Sequence, residues 1–403
     1  MLHTLLACVA IGGVVAVVYS YALYPVVLFV IGSVVQGLRD VGFVFRKRDR
    51  RIDAGHAETE PQWPPVAIVI SAYNEETHIV SRIENLLALD YPADKLHAYI
   101  GSDGSRDRTA ELMVQFKDEP RVVALPFEVN RGKASVLNDL VSRTSEPIVV
   151  FSDANTYFER SALKRLVARF QDPKVGGVTG ELRLMGNDGD NQDSLYWRIE
   201  QFLKFFEARI GALLGANGAI YAIRRTLWQP LRPDTVCDDF CVAMNVSAAG
   251  HRLVYEPKAW AEEDTPEQIG EEVKRRIRIG IGNFQALARH PQYLTRTSLA
   301  TAFAYVSHKV LRWTAPHLLL LALAASVTLA VTESSSGWAV YALAQAGSYM
   351  LAWAGWRLTT RGVKLPTLVK LAAFLFALNW AFLVASWRFS TGRASGSWGR
   401  TSR

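Results

Sequence analysis

Val66-Ala67-Ile68-Val69-Ile70-Ser71-Ala72-Tyr73-Asn74-Glu75 is the stretch on which the fold is decided. A short apolar run rich in β-branched residues ends in a polar turn, which predicts a strand. A helix-like stretch follows, with Ile79, Ile83, Leu86 and Leu87 on one face. His97–Ser102 repeats the strand pattern, and a helix is predicted around Ala110–Lys117. Arg121–Leu125 and Pro147–Ser152 continue the alternation. Strand and helix alternating over residues 66–260 predict βαβ units and a mainly parallel sheet.

Ligands of such sheets sit at the carboxyl ends of the strands. After the first strand comes Ala72-Tyr73-Asn74-Glu75-Glu76, after the second Ser102-Asp103-Gly104-Ser105, and after the fourth Ser152-Asp153-Ala154-Asn155. Carboxylates and amides on one rim can hydrogen-bond a base and ribose, and their oxygens suit a hard divalent cation. Between them lies Asn130-Arg131-Gly132-Lys133, a basic turn suited to phosphate. Asp103 and Asp153 each precede a helix, where an Asp also serves as a cap. Neither a GxxxxGK[ST] loop nor a GxGxxG turn occurs.

Around this middle the chain is segregated. Its 403 residues carry 45 Lys+Arg against 38 Asp+Glu, a net charge of +7. Half is apolar and 11% aromatic, which excludes a disordered chain. The apolar residues cluster at both ends and flank a charged middle, the pattern of a membrane-anchored protein. Residues 2–35 are long enough to span ~30 Å of hydrocarbon, and no basic segment precedes them as in a signal peptide. Arg39, Arg46, Lys47, Arg48, Arg50 and Arg51 follow at once, which places this side in the cytoplasm. Three further apolar stretches lie near 314–332, 338–356 and 366–387. Three full spans would put the basic tail, with Arg388, Arg393, Arg400 and Arg403, outside. Either one stretch is re-entrant or interfacial, or the tail breaks the rule.

Tyr305–Trp313 mixes His308, Lys309 and Arg312 with aromatic and aliphatic residues, as a helix lying in the headgroup plane does. Residues 194–214 either do the same or pack on the soluble core. The three cysteines, Cys8, Cys237 and Cys241, lack zinc-site or disulfide-scaffold spacing and read as structural. No nucleic-acid-binding motif accompanies the basic charge, so nucleic acid is not an expected partner.

Taken together, these motifs resemble the membrane synthases of glycosyltransferase family 2: the hyaluronan, chitin, cellulose and poly-N-acetylglucosamine synthases. The resemblance covers about 20–315 and reaches into the tail. It implies an α/β GT-A nucleotide-sugar-binding domain, with a mixed, mainly parallel sheet, inserted between transmembrane helices. The implied boundaries are 1–36 for the first membrane helix and 37–64 for a basic linker. The cytoplasmic GT-A domain then takes 65–295, an amphipathic interface helix 296–313, the C-terminal membrane region 314–387 and a basic tail 388–403.

Ala72, Tyr73 and Glu75 resemble the family's first nucleotide-binding turn. Asp103 matches the position that contacts uracil, Lys133 the Gly-Lys element, and Asp153 with Asn155 the metal motif for Mg2+ or Mn2+. Asn217 and Gly218 resemble the acceptor loop, whose other reading is a tight turn. Cys237-Asp238-Asp239 matches the motif whose last Asp is the catalytic base. Lys274-Arg275-Arg276-Ile277-Arg278-Ile279 matches a donor-binding QxxRW motif, although four cations after Glu271 and Glu272 also suit a salt-bridged surface helix. Trp398 and Arg400 resemble a gating tail, against a disordered basic tail as the other reading.

Asn155 replaces an Asp, Arg275 a Gln and Ile279 a Trp. The implied activity is inverting transfer from a UDP-sugar to a growing polysaccharide or glycan, by a protein of the plasma or inner membrane. Single addition to a lipid-linked acceptor is the alternative, and a non-catalytic nucleotide-binding subunit the alternative of another class. Four spans are few for a polymer channel, which leaves room for a second copy or an export partner.

Overall fold

The computed structural model describes residues 1–46, 63–185, 192–264, 269–363 and 365–393. Helix α1 (Leu2–Val18) passes through a π-turn at Tyr19–Leu23 into α2 (Tyr24–Arg46). Pro25 supplies no N–H to the turn before it, and the widened π-turn absorbs that gap.

The central domain alternates as expected: β1 (Val66–Ala72), α3 (Ile79–Leu87), β2 (Leu96–Asp103), α4 (Thr109–Val114), β3 (Val122–Phe127), α5 (Lys133–Arg143) and β4 (Ile148–Asp153). These four strands are parallel, in the order β3-β2-β1-β4. The pairings Ala72↔Ser102 and Ser71↔Asp153 bring the three polar turns to one rim.

The chain continues through β5 (Thr156–Phe158), α6 (Ala162–Ala168), β6 (Val175–Met185), α7 (Gln192–Arg209), β7 (Tyr221–Arg224), α8 (Asp238–Ala248) and β8 (Arg252–Asp264). Strand β7 is antiparallel to both β4 and β6, so the eight-stranded sheet is mixed. Ile68, Ile70, Ile83 and Leu166 form the core on one face, and Val149, Leu140, Ala243 and Met244 that on the other.

Helix α9 (Ile269–Arg289) leads through α10 (Gln292–Thr295), α11 (Leu299–Ala304) and a π-turn at Tyr305–Val310 into α12 (Leu311–Thr332). Helices α13 (Ser336–Thr359) and α14 (Thr367–Ser390) follow. Among the described residues three helices are long and apolar enough to cross a membrane: Leu2–Phe45, Leu299–Thr332 and Thr367–Ser390. Helix α13 is as long, but Gln345, Ser348 and Tyr349 make it more polar.

The segment 296–313 is not a separate surface helix: most of it enters the continuous helix Leu299–Thr332. Its basic residues turn inward because α7 offers two carboxylates. His308 is 2% exposed, with Nδ1 2.7 Å from Glu207 Oε1 and Nε2 3.3 Å from Glu200 Oε1. Arg312 donates to Glu200 at 2.7 Å and Tyr24 to Glu207 at 3.0 Å. Burial opposes the charge of Glu200, yet Lys309, His308 and Arg312 hold its carboxyl well below the usual range. The two π-turns meet here, Ser20 Oγ donating to the Ser307 carbonyl at 2.7 Å. Leu203 and Phe206 of α7 are buried against Tyr24 and Leu28, so α7 docks on α2.

Candidate active site

Each loop at the rim is held by its neighbour. Ala72 is buried at the end of β1 and Tyr73 is half-buried. Asn74, at φ 55°, donates its N–H to Ser105 Oγ at 3.1 Å and accepts from the Arg106 N–H at 2.8 Å. The Glu75 N–H donates to Thr109 Oγ1 at 2.7 Å. Asp103 is 1% exposed, and its two oxygens accept from the backbone of Arg131 and Gly132 at 2.8 and 2.9 Å. It therefore fixes the basic turn rather than standing open to a base. Gly104 crosses that turn at φ +63°, where a Cβ would strike the Asn130 backbone.

Lys133, the first residue of α5, joins two motifs. Its ammonium lies 2.8 Å from Asp153 Oδ1 and 3.3 Å from Asp238 Oδ2. Burial opposes its charge, but Asp153, Asp238 and Asp239 together hold it protonated well above the ordinary lysine range. The contact to Asp238 lacks hydrogen-bond geometry, and the buried Oδ2 of Asp238 has no hydrogen-bond partner. Asp238 and Asp239 open α8, where the helix N-terminus favours negative charge. Burial still pushes the Asp239 carboxyl up to about 6, with the charge of Asp238 adding to it and Lys133 opposing. A Cβ on Gly218 would come within 3.2 Å of Asp239 Oδ2, so the loop after α7 crosses directly over that carboxylate. Asn217 anchors the loop, its N–H donating to Thr179 Oγ1 at 2.9 Å.

The predicted metal motif fits a cation in donor type. Asp153 ends β4 with its side chain 32% exposed. Asn155 donates its amide to Glu263 Oε1 at 2.9 Å, which leaves its Oδ1 as the donor oxygen. No group of three His, Cys, Asp or Glu side chains among the described residues could hold a metal. Phosphate and water oxygens would complete the shell, as Mg2+ usually requires.

The basic helix is only partly at the site. Arg276 lies over the Phe374 ring of α14 at 4.7 Å, away from the rim. Arg275 and Arg278 are exposed, and the charge of Arg278 reaches the Cys237 thiol beside Asp238. Trp398 and Arg400 lie outside the described residues.

Three residues at this site carried no signal of their own in the sequence. Arg82 is wholly buried behind β4, donates to Ser152 Oγ at 2.8 Å, and is pulled down to about 9 by burial. Lys204 of α7 donates to the Gly180 carbonyl at 3.2 Å and lies 4.5 Å over Tyr255. Burial pulls its ammonium down to about 8, against the charges of Glu181 and Asp239. Tyr221 stacks on Phe151 at 4.8 Å, with a buried O–H that has no hydrogen-bond partner. Each is a polar group inside an apolar pattern, and only the tertiary fold brings it near the acids.

The sequence profile described as "Glycosyltransferase like family 2" matches residues 64–282. A poly-beta-1,6-N-acetyl-D-glucosamine synthase of Staphylococcus aureus is 29% identical over 234 residues, 56% of each chain. That of Staphylococcus epidermidis is 28% identical over 231 residues, again 56% of each. The chain thus spans about half the length of the relatives it matches. A solved mannosyltransferase of Pyrobaculum calidifontis, in complex with GDP-Man and Mn2+, superposes with a TM-score of 0.62 at 21% identity. The match covers 92% of this chain and 98% of that one and shows a shared GT-A fold. With more than half of its length, residues 64–282, matched by the family profile, the chain belongs to the glycosyltransferase-like family 2.

Proposed function

We propose that the protein is an inverting membrane glycosyltransferase that transfers N-acetylglucosamine from its UDP-sugar to a growing β-linked glycan. The observation that carries this reading is Asp239, held near neutrality at about 6 under the acceptor-side loop and beside the Lys133–Asp153–Asp238 cluster. A group with that acidity is suited to take a proton near neutral pH. The choice of sugar rests on the names of the staphylococcal relatives.

In this reading the nucleotide rests on Ala72, Tyr73 and Glu75 and on the turn that Asp103 holds in shape. Lys133, with Arg275 and Arg278, faces the diphosphate, while Arg276 supports α9 from the membrane side. Asp153 and Asn155 would hold Mg2+ or Mn2+, which when bound neutralises charge on the leaving diphosphate. Asn217 and Gly218 line the acceptor. The acceptor hydroxyl oxygen attacks the anomeric carbon as its proton passes to Asp239. The bond from that carbon to the diphosphate oxygen breaks, and the configuration inverts from α to β. Asp238 stays with Lys133 and orients the turn. The catalytic domain faces the cytoplasm, where the basic residues after α2 belong.

Ile279, 37% exposed where a Trp is usual, favours the second reading, single addition to a lipid-linked acceptor. The non-catalytic reading has no support beyond Asn155. The test is a panel of UDP-sugars with detergent-purified protein and Mn2+ or Mg2+, scored by UDP release and product size. A high-mass product from UDP-N-acetylglucosamine is expected. A single lipid adduct would select the second reading, and no turnover despite UDP binding would refute both.

A further inference from the structure

Helix α9 stands between the proposed base and a membrane-region helix, and two glycines let it touch both. Gly280 and Gly282 are two residues apart, so they lie on nearly opposite faces of the helix. On one face a Cβ at Gly282 would overlap the Cys237 sulfur and lie 3.0 Å from the Cys237 nitrogen. On the other a Cβ at Gly280 would lie 2.7 Å from Ala385 Cβ and 3.4 Å from Phe382 of α14.

The grip on the segment before Asp238 extends along α9. The Cys237 thiol donates to the Ile279 carbonyl at 3.5 Å. Gln285, itself buried, accepts from the Val236 N–H at 3.2 Å and donates to the Asp234 carbonyl at 3.0 Å. Arg289 closes the row with a two-pronged pair to Asp234 at 3.0 and 2.6 Å. Every residue from 234 to 237 except Thr235 is thus fixed by α9, and Asp238 and Asp239 follow without an intervening loop.

We propose that Gly282 is a positioning residue for Asp239, and that Gly280 seats the same helix on α14, so that the placement of α14 sets the rate of transfer. The inference rests on the reading of Asp239 as the base. Arg275 and Arg278 lie on the same helix, so a shift of α9 acts on the donor side as well. The displacement of Asp239 should show as a loss of kcat that saturating donor does not restore.

The experiment measures kcat and donor KM of the full chain with UDP-N-acetylglucosamine, or whichever UDP-sugar turns over. The variants are Gly282→Ala, Gly280→Ala, the relieved pairs Gly282→Ala/Cys237→Ala and Gly280→Ala/Ala385→Gly, Cys237→Ala alone, and Asp239→Asn. Misplacing a reacting group by up to 1 Å costs on the order of 10- to 100-fold. Gly282→Ala should lower kcat at saturating donor about tenfold or more. Removing the sulfur in the pair should recover part of the loss, because the Cys237 nitrogen and Val236 Cβ still stand 3.0 and 3.1 Å from the added carbon. Gly280→Ala should show a smaller loss, relieved by Ala385→Gly.

Full kcat in both glycine variants, a loss that the relieving partners leave untouched, or a defect that saturating donor abolishes would overturn the proposal. Should Gly282→Ala alone not fold, the Gly280→Ala arm decides, and full kcat there overturns it too. Turnover retained by Asp239→Asn would instead sink the reading of the base, whatever the glycine variants do.

Discussion

Replacing Lys133 by methionine tests the charge balance of the site. Methionine keeps the length and the apolar stem but removes the ammonium that lies 2.8 Å from Asp153 and 3.3 Å from Asp238. Three carboxylates would then share one rim without the ammonium that now lies between them. Removing one partner of a buried pair costs about 3–5 kcal/mol. With the Asp153 side chain 32% exposed, the lower end of that range applies. Part of this falls on Asp239, whose acidity Lys133 now sustains. One pH unit corresponds to about 1.4 kcal/mol, so a share of about half moves the Asp239 carboxyl up by about one unit.

A base acts only when deprotonated, so turnover falls as pH drops through the folded-state value. For the wild type the acid limb of kcat/KM, which reports the free enzyme, should sit near the Asp239 value of about 6. One unit below the limb the rate is about one-tenth of its plateau. In Lys133→Met the limb should move to about 7. The assay is UDP release at donor well below KM from pH 5 to about 9, with binding of the donor followed in parallel. A limb that stays in place or moves to lower pH would show that Lys133 does not govern Asp239, and the argument would fail.

Asp239→Asn should abolish turnover and keep UDP binding. Because folding raises this carboxyl to about 6, its charged form destabilises the protein above that pH, so the variant should gain up to about 3 kcal/mol at pH 8 and nothing at pH 4; equal thermal midpoints at pH 8 would contradict it. Glu207→Gln should lower the thermal midpoint through a loss of about 3 kcal/mol, since His308 and Tyr24 both meet that carboxylate; an unchanged midpoint would remove the cluster from the stability argument. Glu200 is depressed in the fold, so its contribution is complete above the free-carboxylate range near pH 4.3 and is lost as pH falls below it. Chelation of divalent cations should stop UDP release and Mn2+ or Mg2+ should restore it, whereas turnover undiminished in chelator would dismiss the cation.

The parallel half of the sheet was legible because β1 and β4 are runs of β-branched residues ending in polar turns, and the strand–helix alternation around them is local. The antiparallel insertion of β7 between β4 and β6 was not, because Tyr221–Arg224 is too short to announce its partner. The acids were legible one by one. Their common contact through Lys133 was not, since 20 residues separate it from Asp153 and 105 from Asp238. The basic face of Tyr305–Trp313 misled for a similar reason. Its counter-charges, Glu200 and Glu207, stand about a hundred residues earlier, and without them a mixed basic and aromatic helix reads as a lipid-facing one.

The contacts bear on the course of α14, the point at which the basic tail conflicted with three full spans. Helix α1 runs antiparallel to α12, for His3 meets Glu333 at 2.8 Å and Gly13 packs on Leu318 and Ala322. The turn at 333–335 therefore lies on the side of the N-terminus, away from the catalytic domain. From there α13 returns, Tyr341 bonding to Ala10 and Gln345 to Leu319. Gly355, near its end, packs on Val369 and Ala373 at the start of α14. Yet Ser386, near the other end of α14, pairs with His317 at 2.9 Å, and Ala385 abuts Gly280 of α9. Contacts at both ends of α14 toward the catalytic domain are what an interfacial course predicts, while its length and apolarity equally fit a crossing. Trp380 and Trp387, 46% and 65% exposed, suit an interfacial anchor. An interfacial α14 would keep Arg388 and Arg393 on the catalytic side, in accord with the charge rule. In a Cys8→Ser background, an impermeant thiol reagent outside intact cells should label Ser334→Cys and spare Arg393→Cys until the membrane is opened. Labelling of Arg393→Cys from outside would mean that α14 crosses, and would return the tail to the far side.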